Sequence, residues 1–145
     1  MRWTTRPATA GDKDFLFALN RAAYEDVVRE QFGQWDEAWQ RQHFEHKWSA
    51  TTFEIVESAG RRIGALGIER TDEAVQILEI LVLPELQGQG IGTALLEREL
   101  RRADEQALPV RLQVLRANRA RTLYERFGFR ICGETETHFL MERGE

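Results

Sequence analysis

The chain has 145 residues, 42% of them hydrophobic and 30% charged, with a net charge of −4. That length and balance suit one α/β domain over residues 1–145 that buries its core without staples, and the net acidity argues against general nucleic-acid binding. The single cysteine, Cys132, excludes a disulfide framework or thiolate metal cluster; with no apolar leader core and no run of membrane-span length, a cytoplasmic protein away from membranes is expected.

In chain order, residues 2–6 (RWTTR) read as a strand stopped by Pro7, and Thr9 or Asp12 offers an N-cap for a helix running to about Ala23. Phe15, Leu16, Leu19, Ala22 and Ala23 form its buried stripe. Residues 24–48 stay helical in tendency, are interrupted at Gly33, and carry Tyr24, Phe32, Trp35, Trp39, Phe44 and Trp48 among many charges. Two readings stay open for these aromatics: ridges packed on a sheet, or a mobile wall of a substrate site. His43 and His46 stand three apart, but HFEH is not H-E-x-x-H and no third ligand suggests itself, so no metal is expected.

Residues 52–57 and 62–70 read as strands joined by a hairpin at Ser58, Ala59, Gly60 and Arg61. Thr71, Asp72 and Glu73 turn the chain into a fourth strand, residues 77–83, which Pro84 ends because it has no N–H for a ladder. Glycines at alternate positions follow, in Gln87, Gly88, Gln89, Gly90, Ile91 and Gly92, and then a helix over residues 90–106. Such a turn brings several N–H groups to bear on one point with a helix N-terminus behind them, which suits a phosphate. Leu108 and Pro109 break the helix, and residues 110–115 make a strand parallel to the one before it. Residues 130–133 and 137–141 close a mixed, twisted sheet of about six or seven strands with flanking helices. Cys132 is expected in the core, and Phe139 to Met141 is expected at an edge through which two copies could form a homodimer. Charge is uneven: Arg101, Arg102, Arg111, Arg116, Arg119, Arg121, Arg126 and Arg130 stand against Asp104, Glu105 and Glu125. Both a basic rim for a polyanionic cofactor and solvated helix faces fit that excess.

The glycines match neither G-x-x-x-x-G-K-[ST] nor G-x-G-x-x-G, which excludes a P-loop and a dinucleotide fingerprint. What remains is Q-x-x-G-x-G, Gln87 to Gly92, after Val82, Leu83 and Pro84. This resembles the acyl-CoA pyrophosphate loop of the GNAT superfamily of N-acetyltransferases. A second stretch, with Asn118, Ala120, Leu123, Tyr124, Glu125, Gly128 and Phe129, is similar to that superfamily's N-x-x-(x)-A-x-x-L-Y-E-x-x-G-F in a shorter variant. The order of strands also fits, so the resemblance spans nearly the whole chain.

The resemblance implies acetyl-CoA as co-substrate, with its pantetheine arm on the backbone of Ile80, Leu81 and Val82. Its pyrophosphate would lie on the N–H groups of Gln87, Gly88, Gln89, Gly90, Ile91 and Gly92, with Asn118 and Tyr124 also at the cofactor. It implies a splay beside the strand 77–83, the Val82 N–H as oxyanion donor and Tyr124 as the acid that protonates the departing thiolate. A phenol with a pKa near 10 is protonated at neutral pH and suits that task. The positions where relatives carry a basic glutamate hold Gln76, Leu78 and Gln113. Glu79, one residue off, points to the other face of a regular strand. Two readings stay open for the base: Glu79, as base or amine anchor, or a water chain ending at Glu54, Tyr24 or His138.

The acceptor is expected to be a primary amine, on a small cationic molecule or a peptide, attacked directly and met by Tyr24, Trp35, Glu79 and His138. Glu25, Asp26, Glu30, Asp36 and Glu37 would give the entrance an acidic lining. The missing strand carboxylate keeps a rival open, a non-catalytic acyl-CoA-binding sensor or interaction module.

Overall fold

The computed structural model describes residues 2–144, and the apolar alternation of the sequence forms one mixed sheet in it. The strands are β1 (Thr4–Pro7), β2 (Phe53–Ser58), β3 (Arg61–Arg70), β4 (Val75–Val82), β5 (Val110–Leu115), β6 (Arg130–Glu134) and β7 (His138–Arg143). Among the described residues they lie in the order β1-β2-β3-β4-β5-β7-β6. The first four are antiparallel neighbours, β4 and β5 are parallel, and β7 lies antiparallel to both β5 and β6. The helices are α1 (Lys13–Phe32), α2 (Glu37–Ala50), α3 (Ile91–Glu105) and α4 (Ala120–Arg126).

Two layers of helix cover opposite faces. Leu16, Phe17 and Leu19 of α1 and Phe44 of α2 pack on Phe53, Ile55, Ala65 and Leu81. On the other face Leu96, Leu100 and Ala103 of α3 meet Leu66, Val75, Ile77, Val110, Leu112 and Met141. Burial of this kind is the main favourable contribution to the fold.

Several expectations change here. The first helix continues past Ala23 to Phe32, because the left-handed residue that ends it is Gly33, at φ 84°. Phe139 to Met141 is not an edge: β7 is paired on both sides, which leaves β6 and β1 at the ends of the sheet and removes that route to a homodimer. Cys132 is exposed rather than in the core. It is the extra residue where the β6–β7 register jumps between Ile131 and Gly133, and such a bulge on an edge strand turns its side chain out of the packed layers.

The register jump that matters most is in β4. Gly67 faces Glu79 while Ile68 faces Ile77, so Leu78 is an extra residue and the alternation of β4 reverses across it. Val75 and Ile77 therefore face α3, whereas Glu79 and Leu81 face α1 and α2.

Candidate active site

The sheet opens at its centre. β4 and β5 pair only through Val75 with Val110 and Gln76 with Arg111, and beyond that step the two strands part. The Leu83 N–H donates to the Ile63 carbonyl on the β3 side. N–H and C=O groups alternate sides along an antiparallel strand, so those of Val82 and Ile80 point away from β3, into the opening. The Val82 carbonyl accepts there from Gln87 Nε2 at 3.1 Å. Leu81 differs from its two neighbours: its groups belong to the β3 ladder opposite Ala65, so an extended ligand in the splay meets Ile80 and Val82 rather than all three.

At the mouth of the splay one 3-10 turn, Pro84–Leu86, leads into the glycines. Gly88 at φ 80° and Gly90 at φ 84° are left-handed, a conformation that costs an L-residue about 1–2 kcal/mol. Gly90 caps α3, whose first-turn N–H groups, from Ile91 and Gly92 onward, have no acceptor within the helix. No acidic residue stands in that first turn, so the positive end of the helix is not cancelled locally. Gln89 lies between the two left-handed glycines.

Polar side chains converge on the α1 and α2 side of β4. Glu79 is only 3% exposed, and Lys47 of α2 forms an ion pair with it. Asn20 of α1 places its Nδ2 3.5 Å from each carboxylate oxygen. Burial, then the nearby Glu79 charge, pushes the Tyr124 phenol above its ordinary value. Tyr24 is pushed up further by burial, then by Glu79 and Tyr124. The two phenols and the carboxylate thus share one neighbourhood, and both phenols keep their protons at neutral pH. Tyr124 sits on α4 against Phe129, their ring centroids 5.7 Å apart.

His138 is half-buried on the same face, its Nδ1 2.7 Å from the Thr137 hydroxyl, and burial followed by the Lys47 charge lowers its pKa. Gln31, near the end of α1, ties that helix to the segments after β5 and before β7: its Nε2 donates to the Thr137 carbonyl at 2.8 Å and its Oε1 accepts from the Ala117 N–H at 2.9 Å. Asn118 turns its Oδ1 onto the Ala120 N–H at 2.9 Å, which starts α4 and so aims Tyr124.

Other candidates separate from this cluster. Glu54 shares the face of Val56, which packs on α3, so it stands on the opposite side of the sheet from Glu79 and from an amine held there. Trp35 is buried at the α1–α2 connection, with its indole N–H on Glu37 at 3.1 Å and the Arg21 guanidinium over its ring. The expected acidic lining is largely cancelled. Glu25 bonds Arg21 and Arg29, Glu37 bonds Arg21 and Arg41, and Asp36 is spent capping α2. Trp39 is exposed and stacks on His43.

Sequence reasoning passed over Lys47, Asn20 and Gln31. Lys47 did carry a signal: it is one of only two lysines among 20 Lys and Arg residues. Asn20 and Gln31 are ordinary helix residues whose partners lie far away in sequence, and nothing local marks them.

The family described as acetyltransferase (GNAT) domain matches residues 49–131 of this chain. A search of the curated proteins finds no match. Among solved structures the chain is similar to the PaiA N-acetyltransferase from Thermoplasma acidophilum in complex with coenzyme A, at 20% identity, with 100% of each chain covered and a TM-score of 0.77. It is similar also to a GNAT family acetyltransferase from Elizabethkingia anophelis with acetyl-CoA bound, at 17% identity over 99% of this chain and 98% of that one, TM-score 0.69. An acetyltransferase from Thermus thermophilus matches at 16% identity over 100% and 98%, TM-score 0.75.

Proposed function

Because the chain belongs to the GNAT acetyltransferases, we propose that it moves an acetyl group from acetyl-CoA to a primary amine by direct attack, without a covalent enzyme intermediate. The observation that carries this reading is the splay after Gln76 and Arg111, lined by the outward-turned backbone groups of Ile80 and Val82, with the glycine turn at its mouth. An extended pantetheine arm suits those backbone groups, and a pyrophosphate suits the N–H groups of Gln87 to Gly92 at the start of α3. That two of the structural neighbours hold coenzyme A or acetyl-CoA supports the same co-substrate.

In this arrangement the Val82 N–H donates to the oxyanion of the tetrahedral intermediate. Glu79 holds the amine and takes its proton, either directly or through water, and the bulge at Leu78 is what puts this carboxylate on the acceptor side. Tyr124 gives its proton to the departing thiolate, and Tyr24 and His138 line the acceptor side. The amine belongs to a small molecule or a peptide. The exposed Cys132 thiol suits a reducing compartment, so we place the reaction in the cytoplasm.

Thiol release from acetyl-CoA, screened over small amines, amino acids and peptides, tests the reading. Amine-dependent release with one acetyl amide formed per thiol supports it. Saturable acetyl-CoA binding with no release for any amine class would remove the proposed acceptor chemistry.

A further inference from the structure

The chain is poor in side-chain amines, and its two lysines sit in different surroundings. Lys13, at the start of α1, pairs with Glu45, which is half exposed, at 2.5 Å. Lys47 reaches from α2 to the buried Glu79 carboxylate, which Asn20 brackets from α1. The simplest account of Lys47 is a counter-ion for a buried carboxylate. Arginine would serve that purpose better, since its fork is fixed and always charged, and it is the cation used almost everywhere else in the chain. Lysine differs in one property that matters at this place: on losing a proton it becomes a nucleophile. An external acceptor must bring its nitrogen to Glu79, beside the splay-facing backbone of Ile80 and three residues before Val82. The Lys47 nitrogen is already there.

We propose that Lys47 is an internal acceptor, acetylated in cis when acetyl-CoA is bound and no external amine competes. The inference rests on the acetyl-transfer reading above. Lys47 Nζ gives one proton to Glu79 and attacks the thioester carbonyl carbon. The C–N bond forms, the C–S bond breaks as the tetrahedral intermediate collapses, and the thiolate takes the Tyr124 proton to leave as free coenzyme A. The attacking nitrogen sheds its second proton as the intermediate collapses, and that proton restores the one Tyr124 gave to the thiolate; Glu79 returns its own to solvent, so the products are acetyl-lysine, a thiol and one released proton. The amide is neutral, so modification removes the cation from Glu79 and leaves that carboxylate open to an external amine.

The test uses the full chain and acetyl-CoA with an isotopically labelled acetyl group, without added amine, over a range of protein concentrations, read by peptide mass spectrometry. One label is expected on Lys47, entering at least about tenfold faster than on Lys13 because the reacting groups are held together. Its half-time should not depend on protein concentration, and Tyr124→Phe should slow it. Lys47→Arg, which keeps a cation on Glu79 and so protects the fold, should take up no label in α2. Labelling of Lys47 no faster than Lys13, equal labelling in Tyr124→Phe, or a half-time that shortens with protein concentration overturns the proposal. If an added amine is acetylated while Lys47 stays unlabelled, this inference falls and the acetyl-transfer reading stands; if neither takes label, both fall.

Discussion

In the proposed mechanism Glu79 and Tyr124 carry the chemistry, and each is placed by a neighbour rather than by its own strand or helix alone. Leu78, as the extra residue of the bulge, turns Glu79 toward α1 and α2, and Asn118 starts the short helix that presents Tyr124. A third residue shows how strongly single contacts act here. Asp12 is buried before α1, and Arg6, helped by the Thr9 N–H and by Arg62, holds its carboxyl well below the usual carboxylate range against the cost of burial. A carboxyl depressed in the folded state adds stability in full above its unfolded value, roughly pH 4, and loses that contribution as pH falls toward the folded value. Asp12→Asn should cost about 2 kcal/mol at pH 7, as for hydrogen bonds to a charged group, and should flatten the loss of stability on acidification below about pH 4. Urea midpoints measured across that range check both effects. An unchanged acid limb would show that other carboxylates govern it.

At the scale of elements, the glycine turn and α3 show what a local pattern reveals. Alternating glycines after Pro84 already called for left-handed backbone and a helix start, and Gly88 and Gly90 have it. The reversal inside β4 had no such mark. Its residues are apolar on both faces, with no glycine or proline at Leu78, so simple alternation put Glu79 on the wrong side. The position of β7 was equally hidden, because strand order depends on pairings between distant segments. The turn also gives the clearest element-level prediction. Gly90→Ala should strain the left-handed cap by about 1–2 kcal/mol and misdirect the N–H groups at the start of α3. Acetyl-CoA should then bind about tenfold more weakly, a loss of about 1.4 kcal/mol. Calorimetric titration of the variant, with its thermal midpoint as a control for folding, measures this; unchanged affinity would move the phosphate site elsewhere.

For the molecule as a whole, the two halves were legible to different degrees. The family match, residues 49–131, takes in β2 to β5, the glycine turn, α3 and α4, which together build the splay. The two longest apolar-faced segments outside it, α1 and most of α2, supply Asn20, Tyr24 and Lys47, the proposed acceptor side. Cofactor chemistry repeats, so its turn and strand have a recognisable pattern; acceptor chemistry varies and leaves only composition to read. Composition could not show that two of the acidic residues of α1 and α2, Glu25 and Glu37, are paired with Arg21, Arg29 and Arg41.

In the proposed reaction the splay holds acetyl-CoA with its thioester at Tyr124. Titrating acetyl-CoA into the wild-type protein and Tyr124→Phe, beside amine-dependent thiol release from both, tests it most directly. Saturable binding of similar strength is expected in the two proteins, with thiol release slower by about 10²-fold or more in the variant, the range for loss of a general acid. Equal release rates would remove Tyr124 from the reaction, and absence of binding to the wild-type protein would contradict the site itself.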